Sequence, residues 1–178
     1  MKLDITQILG GKVRTLEFPI SLDPVETGYG EYFPEDVTFT APIGGTVTVT
    51  DRGEYISVQV DPVAEYELPC SRCLVPVGDT LEVSFERLIP SGGRFSMDEE
   101  LYDEEDILTV TEGHIDITKD ICEETALALP DYVLCDEDCP GLCPKCGKAL
   151  ADGDCGCKKE KEIDPRLKIF EKLLKDEE

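Results

Sequence analysis

Residues 46–60 read TVTVTDRGEYISVQV. Val47 and Val49 alternate with Thr46, Thr48 and Thr50, and Ile56, Val58 and Val60 alternate with Tyr55, Ser57 and Gln59. A period of two places one set of side chains on each face of a strand, so each run predicts a strand with one dry face. Asp51-Arg52-Gly53-Glu54 between them supplies turn chemistry, which joins the runs as a hairpin. Further along, residues 80–89 (TLEVSFERLI) set Leu81, Val83 and Phe85 against Glu82, Ser84 and Glu86, again a strand with one wet face. Residues 12–18 form a weaker strand signal, and residues 28–34 and 90–94 read as loops by their Gly and Pro content. The first half of the chain therefore predicts an antiparallel sheet curled into a sandwich or open barrel.

Two helices follow. Asp116 is placed to cap a helix over residues 117–129, in which Ile117, Ile121, Ala128 and Cys122, Thr125, Leu129 fall on adjoining stripes before Pro130 stops it. Asp164-Pro165 opens a second, with Leu167, Phe170 and Leu174 along one face and Ile169 and Leu173 beside them. That helix packs on its own sheet or serves as an amphipathic arm for a partner. The expected class is α+β: a β-rich antiparallel sandwich or open barrel, two helices and a small Cys-rich zinc knuckle. The expected division is a β-rich unit over 1–133 that holds the acidic segment and helix 116–129, a Cys-rich knuckle over 134–160, and a C-terminal amphipathic helix over 161–178.

The 178 residues carry 40 acidic and 17 basic side chains, a formal net charge of −23. Broad phosphate binding needs a positive footprint, so this charge argues against gripping nucleic acid over a large surface or adsorbing to anionic membranes. A basic partner fits better. Residues 96–138 hold 16 acidic residues and one basic residue, whereas residues 158–178 hold seven of each. The acidic stretch is either a solvated face or a docking surface. The first residues, MKLDITQ, lack the apolar run of a signal peptide, and no stretch approaches the length of a spanning helix. The expectation is a cytoplasmic protein whose nine cysteines are reduced, which turns their spacing toward metal binding.

Six of them, Cys135, Cys139, Cys143, Cys146, Cys155 and Cys157, fall within 23 residues made largely of Asp, Gly, Lys and Pro. So little apolar material cannot form a core, and a bound metal replaces it. Cys143-Pro144-Lys145-Cys146-Gly147 is a zinc-knuckle sequence: the tight turn aims two thiolates at one ion, and Gly147 lets backbone amides turn toward sulfur. The second pair is Cys155/Cys157, favoured slightly by compact closure across residues 147–154, or Cys135/Cys139. A two-metal cluster that shares thiolates would use all six. Any all-thiolate site has no open position for water and reads as structural.

Cys70-Ser71-Arg72-Cys73 sits at the tip of a predicted hairpin and has three readings. It is a redox pair, which Pro69 and the following strand disfavour; a second metal half-site completed by Cys122, His114 or another chain; or a reduced structural pair. His114, the one histidine, lies in an acidic loop and reads as solvated, and Cys122 reads as a small buried hydrophobe. No nucleophile–base set, phosphate-cradling glycine loop or metal-carboxylate motif stands in the sequence, so an enzyme is not expected.

Taken in order, Phe18-Pro19-Ile20, Glu67-Leu68-Pro69-Cys70-Ser71-Arg72-Cys73-Leu74, Gly113-His114-Ile115-Asp116-Ile117, Leu127-Ala128-Leu129-Pro130, the run from Cys139 to Gly147 and Asp164-Pro165-Arg166-Leu167 resemble the YceD family of large ribosomal RNA subunit accumulation proteins. The resemblance spans nearly the whole chain. It implies a non-enzymatic role in making or stabilising large-subunit ribosomal RNA, and a genomic link to a small zinc-binding protein of that subunit. Some members keep the pair matching Cys70 and Cys73 while lacking the later cysteines. Others carry His at the positions of Cys155 and Cys157, which marks those two as ligands. A net charge of −23 fits poorly with direct RNA binding. The expected contact is therefore between acidic residues 98–138 and a basic ribosomal protein or precursor particle, with any RNA contact confined to Arg72 or Lys158/Lys159. The alternatives are an acidic zinc-ribbon adaptor unconnected with ribosomes and a redox-sensing zinc module.

Overall fold

The structure, a computed structural model, describes residues 1–91, 106–153 and 155–157. Its elements, in chain order, are β1 (Lys2–Asp4), α1 (Thr6–Leu9), β2 (Thr15–Pro19), β3 (Thr38–Phe39), β4 (Gly44–Asp51), β5 (Tyr55–Pro69), β6 (Pro76–Glu82), β7 (Phe85–Pro90), β8 (His114–Asp116) and α2 (Thr118–Ala128), with single 3-10 turns at Gly30–Tyr32 and Leu150–Asp152. The predicted helix at 164–174, the acidic residues 98–105 and Lys158/Lys159 lie outside the described residues.

The hairpin at 46–60 is the centre of the fold. β4 and β5 pair antiparallel, with Val47 opposite Val60 and Val49 opposite Val58, all four fully buried. The period of two continues through β5, where Ile56, Val58, Val60, Ala64, Tyr66 and Leu68 are buried while Val63, Glu65 and Glu67 are exposed. This 15-residue strand is the backbone of a six-stranded antiparallel sheet. One edge carries β4 and β3, and β2 adds outside β4. The other edge carries β6 and β7.

The stretch 80–89 forms the end of β6 and most of β7. Glu82 lies opposite Val63 and Phe85 opposite Val60, so the register runs on unchanged across the break at 83–84. Pro62, which has no N–H to give the ladder, faces that break; its carbonyl still accepts from Val83 N at 3.0 Å. The sheet is open and does not close on itself. β1 and β8 form a separate two-stranded ribbon that brings Leu3 and Ile115 into the same core.

α2 lays Ile121, Cys122 and Thr125 into that core. The N-cap position falls on Ile117, which has no side-chain cap, and the expected capping residue Asp116 stands one place earlier, where its Oδ1 accepts from both the amide (3.1 Å) and hydroxyl (2.5 Å) of Thr118. Arg87 of β7 fixes the helix to the sheet: its guanidinium meets Asp120 at 2.9 Å, Glu124 at 2.6 Å and Asp106 at 3.3 Å, and its Cζ lies 4.8 Å from the centre of the Phe85 ring. The helix ends before Pro130, and the chain then runs back toward the β5–β6 tip. No helix among the described residues is long and apolar enough to cross a membrane.

Candidate metal centres

The β5–β6 hairpin ends in the loop 70–75, which has a defined shape. Leu74 N donates to Cys70 O at 2.9 Å, Cys70 N donates to Val75 O at 2.8 Å, and Leu74 takes a left-handed φ of 62°. The loop after α2 repeats this turn. Gly147 N donates to Cys143 O at 2.8 Å, Cys143 N donates to Lys148 O at 2.8 Å, and Gly147 has φ 73°. Both Cys-x2-Cys sequences thus fold into the same knuckle, and each presents two thiols on one side.

Each knuckle has a second pair of cysteines beside it. Cys70 and Cys73 meet Cys135 and Cys139, whereas Cys143 and Cys146 meet Cys155 and Cys157; within each group the four sulfurs lie within 4.8 Å of one another. In the first group Cys70 Sγ is 3.8 Å from Cys139 Sγ, and Cys73 Sγ is 3.5 Å from Cys135 Sγ. Each group could hold a metal ion. Of the six cysteines clustered in the sequence, Cys135 and Cys139 therefore stand with the hairpin tip, and the other four stand together. Neither of the intrachain partners considered for Cys70/Cys73 joins them. His114 Nδ1 lies 3.0 Å from the Glu112 carbonyl, and Cys122 is buried in the main core, 4.0 Å from the Thr27 hydroxyl.

The first group, here the inner site, is built into the fold. Cys70, Cys73 and Cys139 are buried, with Val77, Leu134, Leu142 and Ala149 packed on them. Protein contacts hold its two halves together. Ser71 N donates to Val133 O at 2.8 Å, Val133 N donates to Ser71 Oγ at 3.2 Å, and Arg72 Nη1 donates to the carbonyls of Glu137 (3.2 Å) and Cys139 (3.0 Å). Arg72, expected as a candidate RNA contact, is exposed and gives these two hydrogen bonds to neutral carbonyls. Gly141, at φ 74°, passes over the Arg72 carbonyl so closely that a Cβ there would lie 3.2 Å from that oxygen. The second group, the outer site, is more open: Cys143 is buried, Cys155 and Cys157 are half-buried and Cys146 is exposed.

Electrostatics within each group favour a cation. Burial alone would raise the Cys70 thiol, but the amides of Cys135, Arg72 and Cys73 and the Cys73 thiol draw it down to about 6. Amides of Cys146 and Lys145, helped by Cys155, bring Cys143 down to about 6. Their neighbours shift the other way. Cys73, chiefly, and Cys139 drive Cys135 up to about 12, and Cys146 with Cys155 drives Cys157 up to about 12. Four thiolates can coexist only around a positive charge, so each group gains its full donor set when a metal ion sits among the sulfurs.

The number of sites had a signal in the sequence, but which pair joins which knuckle did not. Two Cys-x2-Cys knuckles each need one further pair, and Cys135/Cys139 and Cys155/Cys157 are the two pairs that remain once Cys122 is assigned to the helix stripe.

Comparison with known proteins places these cysteines in a family context. A protein from Mycobacterium tuberculosis strain H37Rv is 37% identical over 178 aligned residues, which cover 90% of this chain and 84% of the relative. The YlbN protein of Bacillus subtilis is 29% identical over 182 residues, covering 100% of this chain and 99% of the relative. No solved structure matches the chain. The family model described as large ribosomal RNA subunit accumulation protein YceD matches residues 58–174, a span that contains both cysteine groups, and the chain belongs to that family.

Proposed function

We propose that the protein is a non-enzymatic factor in large ribosomal subunit RNA accumulation, carries a structural zinc ion in each cysteine group, and docks through acidic surface on a basic ribosomal protein or a precursor particle. The observation that carries this reading is the family match over residues 58–174. The donor chemistry supports zinc. Four soft thiolates suit a d10 ion, and a tetrahedron with metal–sulfur bonds of about 2.3 Å has sulfur–sulfur edges of about 3.8 Å. The inner-site separations of 3.8 and 3.5 Å are close to that edge. Metal here fastens chain segments and leaves no open coordination position, so its role is architectural. The net charge of −23 supports a protein partner over bare RNA, and Asp131, Asp136, Glu137 and Asp138 stand exposed beside the inner site.

Capture of the tagged full chain from a low-salt lysate, before and after nuclease, tests the docking. The expected result is large-subunit precursor RNA that disappears on nuclease while basic ribosomal proteins remain. Enrichment of neither would overturn the ribosomal reading in favour of an unrelated adaptor. Tight binding of the purified protein to bare large-subunit RNA at physiological salt, with a steep salt slope, would overturn protein docking.

A further inference from the structure

The two cysteine groups share one knuckle geometry but differ in everything around it. We propose that the outer site is an exchangeable metal site, able to pass its ion to a thiolate-bearing acceptor, while the inner site retains its ion. This rests on the reading of both groups as zinc sites.

Three observations carry it. The first is access. A tetrathiolate ion leaves when an incoming ligand reaches the metal and displaces the thiolates in turn. Each group has one exposed cysteine, Cys135 inside and Cys146 outside, but the other three inner cysteines are all buried, with Val77, Leu134, Leu142 and Ala149 packed on them, whereas only Cys143 of the outer three is buried and Cys155 and Cys157 are half-buried. The second is what must open. The inner ligands lie 62 and 69 residues apart across facing pairs, so freeing them means separating the hairpin tip from the post-helix segment and breaking the Ser71–Val133 and Arg72–Glu137/Cys139 hydrogen bonds. The outer ligands all fall within residues 143–157, and their release needs only local opening. The third is the direction of support. The outer knuckle leans on the inner one through Gly141 over the Arg72 carbonyl, through Leu142 packed on the inner sulfurs, and through Leu150 N to Gly141 O at 2.9 Å. The bonds that brace the inner halves draw on none of Cys143, Cys146, Cys155 and Cys157. Emptying the outer site therefore leaves those bonds in place and touches the inner site only through its cover by Leu142 and Ala149.

The exchange is redox-neutral. The ion moves as a divalent cation, its bonds to four outer sulfurs break as bonds to acceptor sulfurs form, and protons released by the acceptor thiols are taken up by the freed cysteines. The acceptor is any protein or small molecule with several thiols that can converge on one ion.

The test uses the full chain loaded with zinc, with 4-(2-pyridylazo)resorcinol as the coloured chelator. One equivalent should leave at least about 100-fold faster than the second, the separation expected between local and wider opening. Cys146→Ser and Cys157→Ser should each remove only the fast phase. After the fast equivalent has gone, amide NMR signals outside residues 140–157 should stay in place. Release of two equivalents in one phase, or a fast phase that survives in both variants, would overturn the exchange proposal and leave the zinc reading intact. Purified protein that binds no zinc would overturn the zinc reading itself.

Discussion

Residues 70–74 and 143–147 are the same turn used twice. Both close with a backbone bond from the residue after the second cysteine to the first cysteine's carbonyl, and both place that residue in the left-handed region. They differ in where the other two thiols come from. The inner knuckle takes them from beyond α2, more than 60 residues away, whereas the outer knuckle takes them from the next dozen residues. Local geometry decides that a metal can be gripped; sequence separation decides what the grip is worth. A crosslink across a long loop constrains the unfolded chain more than a short one, and here it also joins the sheet to the segment after the helix.

The largest expected effect follows directly. Cys73→Ser, which breaks the long closure, should lower Tm by about 10 °C or more, while Cys146→Ser should lower it by no more than about 3 °C. Equal losses measured by calorimetry would erase the distinction between the sites.

Next in size is Arg87. It is held by three carboxylates, two of them on α2, and the chain leaving α2 delivers Cys135 and Cys139. Arg87→Met takes the ion-pair partner from half-buried Asp120 and Glu124 and should cost about 2–4 kcal/mol. Because the damage reaches only the helix side, zinc release from the inner site should quicken while outer release keeps its rate. If both rates rise together, α2 does not brace the inner site selectively.

A smaller pair of substitutions probes the turns themselves. Leu74 has φ 62° and is exposed, so its side chain gives little packing in return for a conformation that disfavours Cβ. Leu74→Gly should stabilise by up to about 1 kcal/mol, and Gly147→Leu should destabilise by a similar amount. Urea titration of the zinc-loaded variants reads both signs. The same sign for both would show that the knuckles are not equivalent turns.

How much of this could be read in advance depended on the range of the signal. The alternation through 46–60 and the stripes of Ile117, Ile121, Cys122, Thr125 and Leu129 are local, and burial follows them, except that Ala128, read onto the same face, is exposed at the helix end. Gly147 announced its left-handed turn by composition, while Leu74 adopts the same turn with a residue that gives no warning. The partner of Cys70 and Cys73 was obscured by proximity. Cys135 and Cys139 stand only eight and four residues before Cys143 in sequence, yet the return of the chain after Pro130 carries them to the hairpin tip, a tertiary fact that spacing alone does not contain. The carbonyl contacts of Arg72 were hidden for the same reason.

The smallest predicted effect separates acid-driven metal loss from ordinary carboxylate titration. Partial burial would raise Asp116, but the Thr118 hydroxyl and amide and the terminal ammonium bring it down to about 2. A folded value below the ordinary 3.8 means that the fold favours the ionised form. The stabilisation is therefore complete above the ordinary value and is lost as pH falls through about 2. The side chain is 50% exposed, so solvent screening limits its worth to below about 1 kcal/mol. Cysteine ligands take up protons at much higher pH, so zinc should leave both sites before Asp116 titrates. Asp116→Asn should flatten only the most acidic part of the stability curve and leave the pH of zinc release unchanged. A shift in that release pH would mean that the ribbon of β1 and β8 and the cysteine sites unfold as one unit, and the separation of inner site, outer site and core would have to be redrawn.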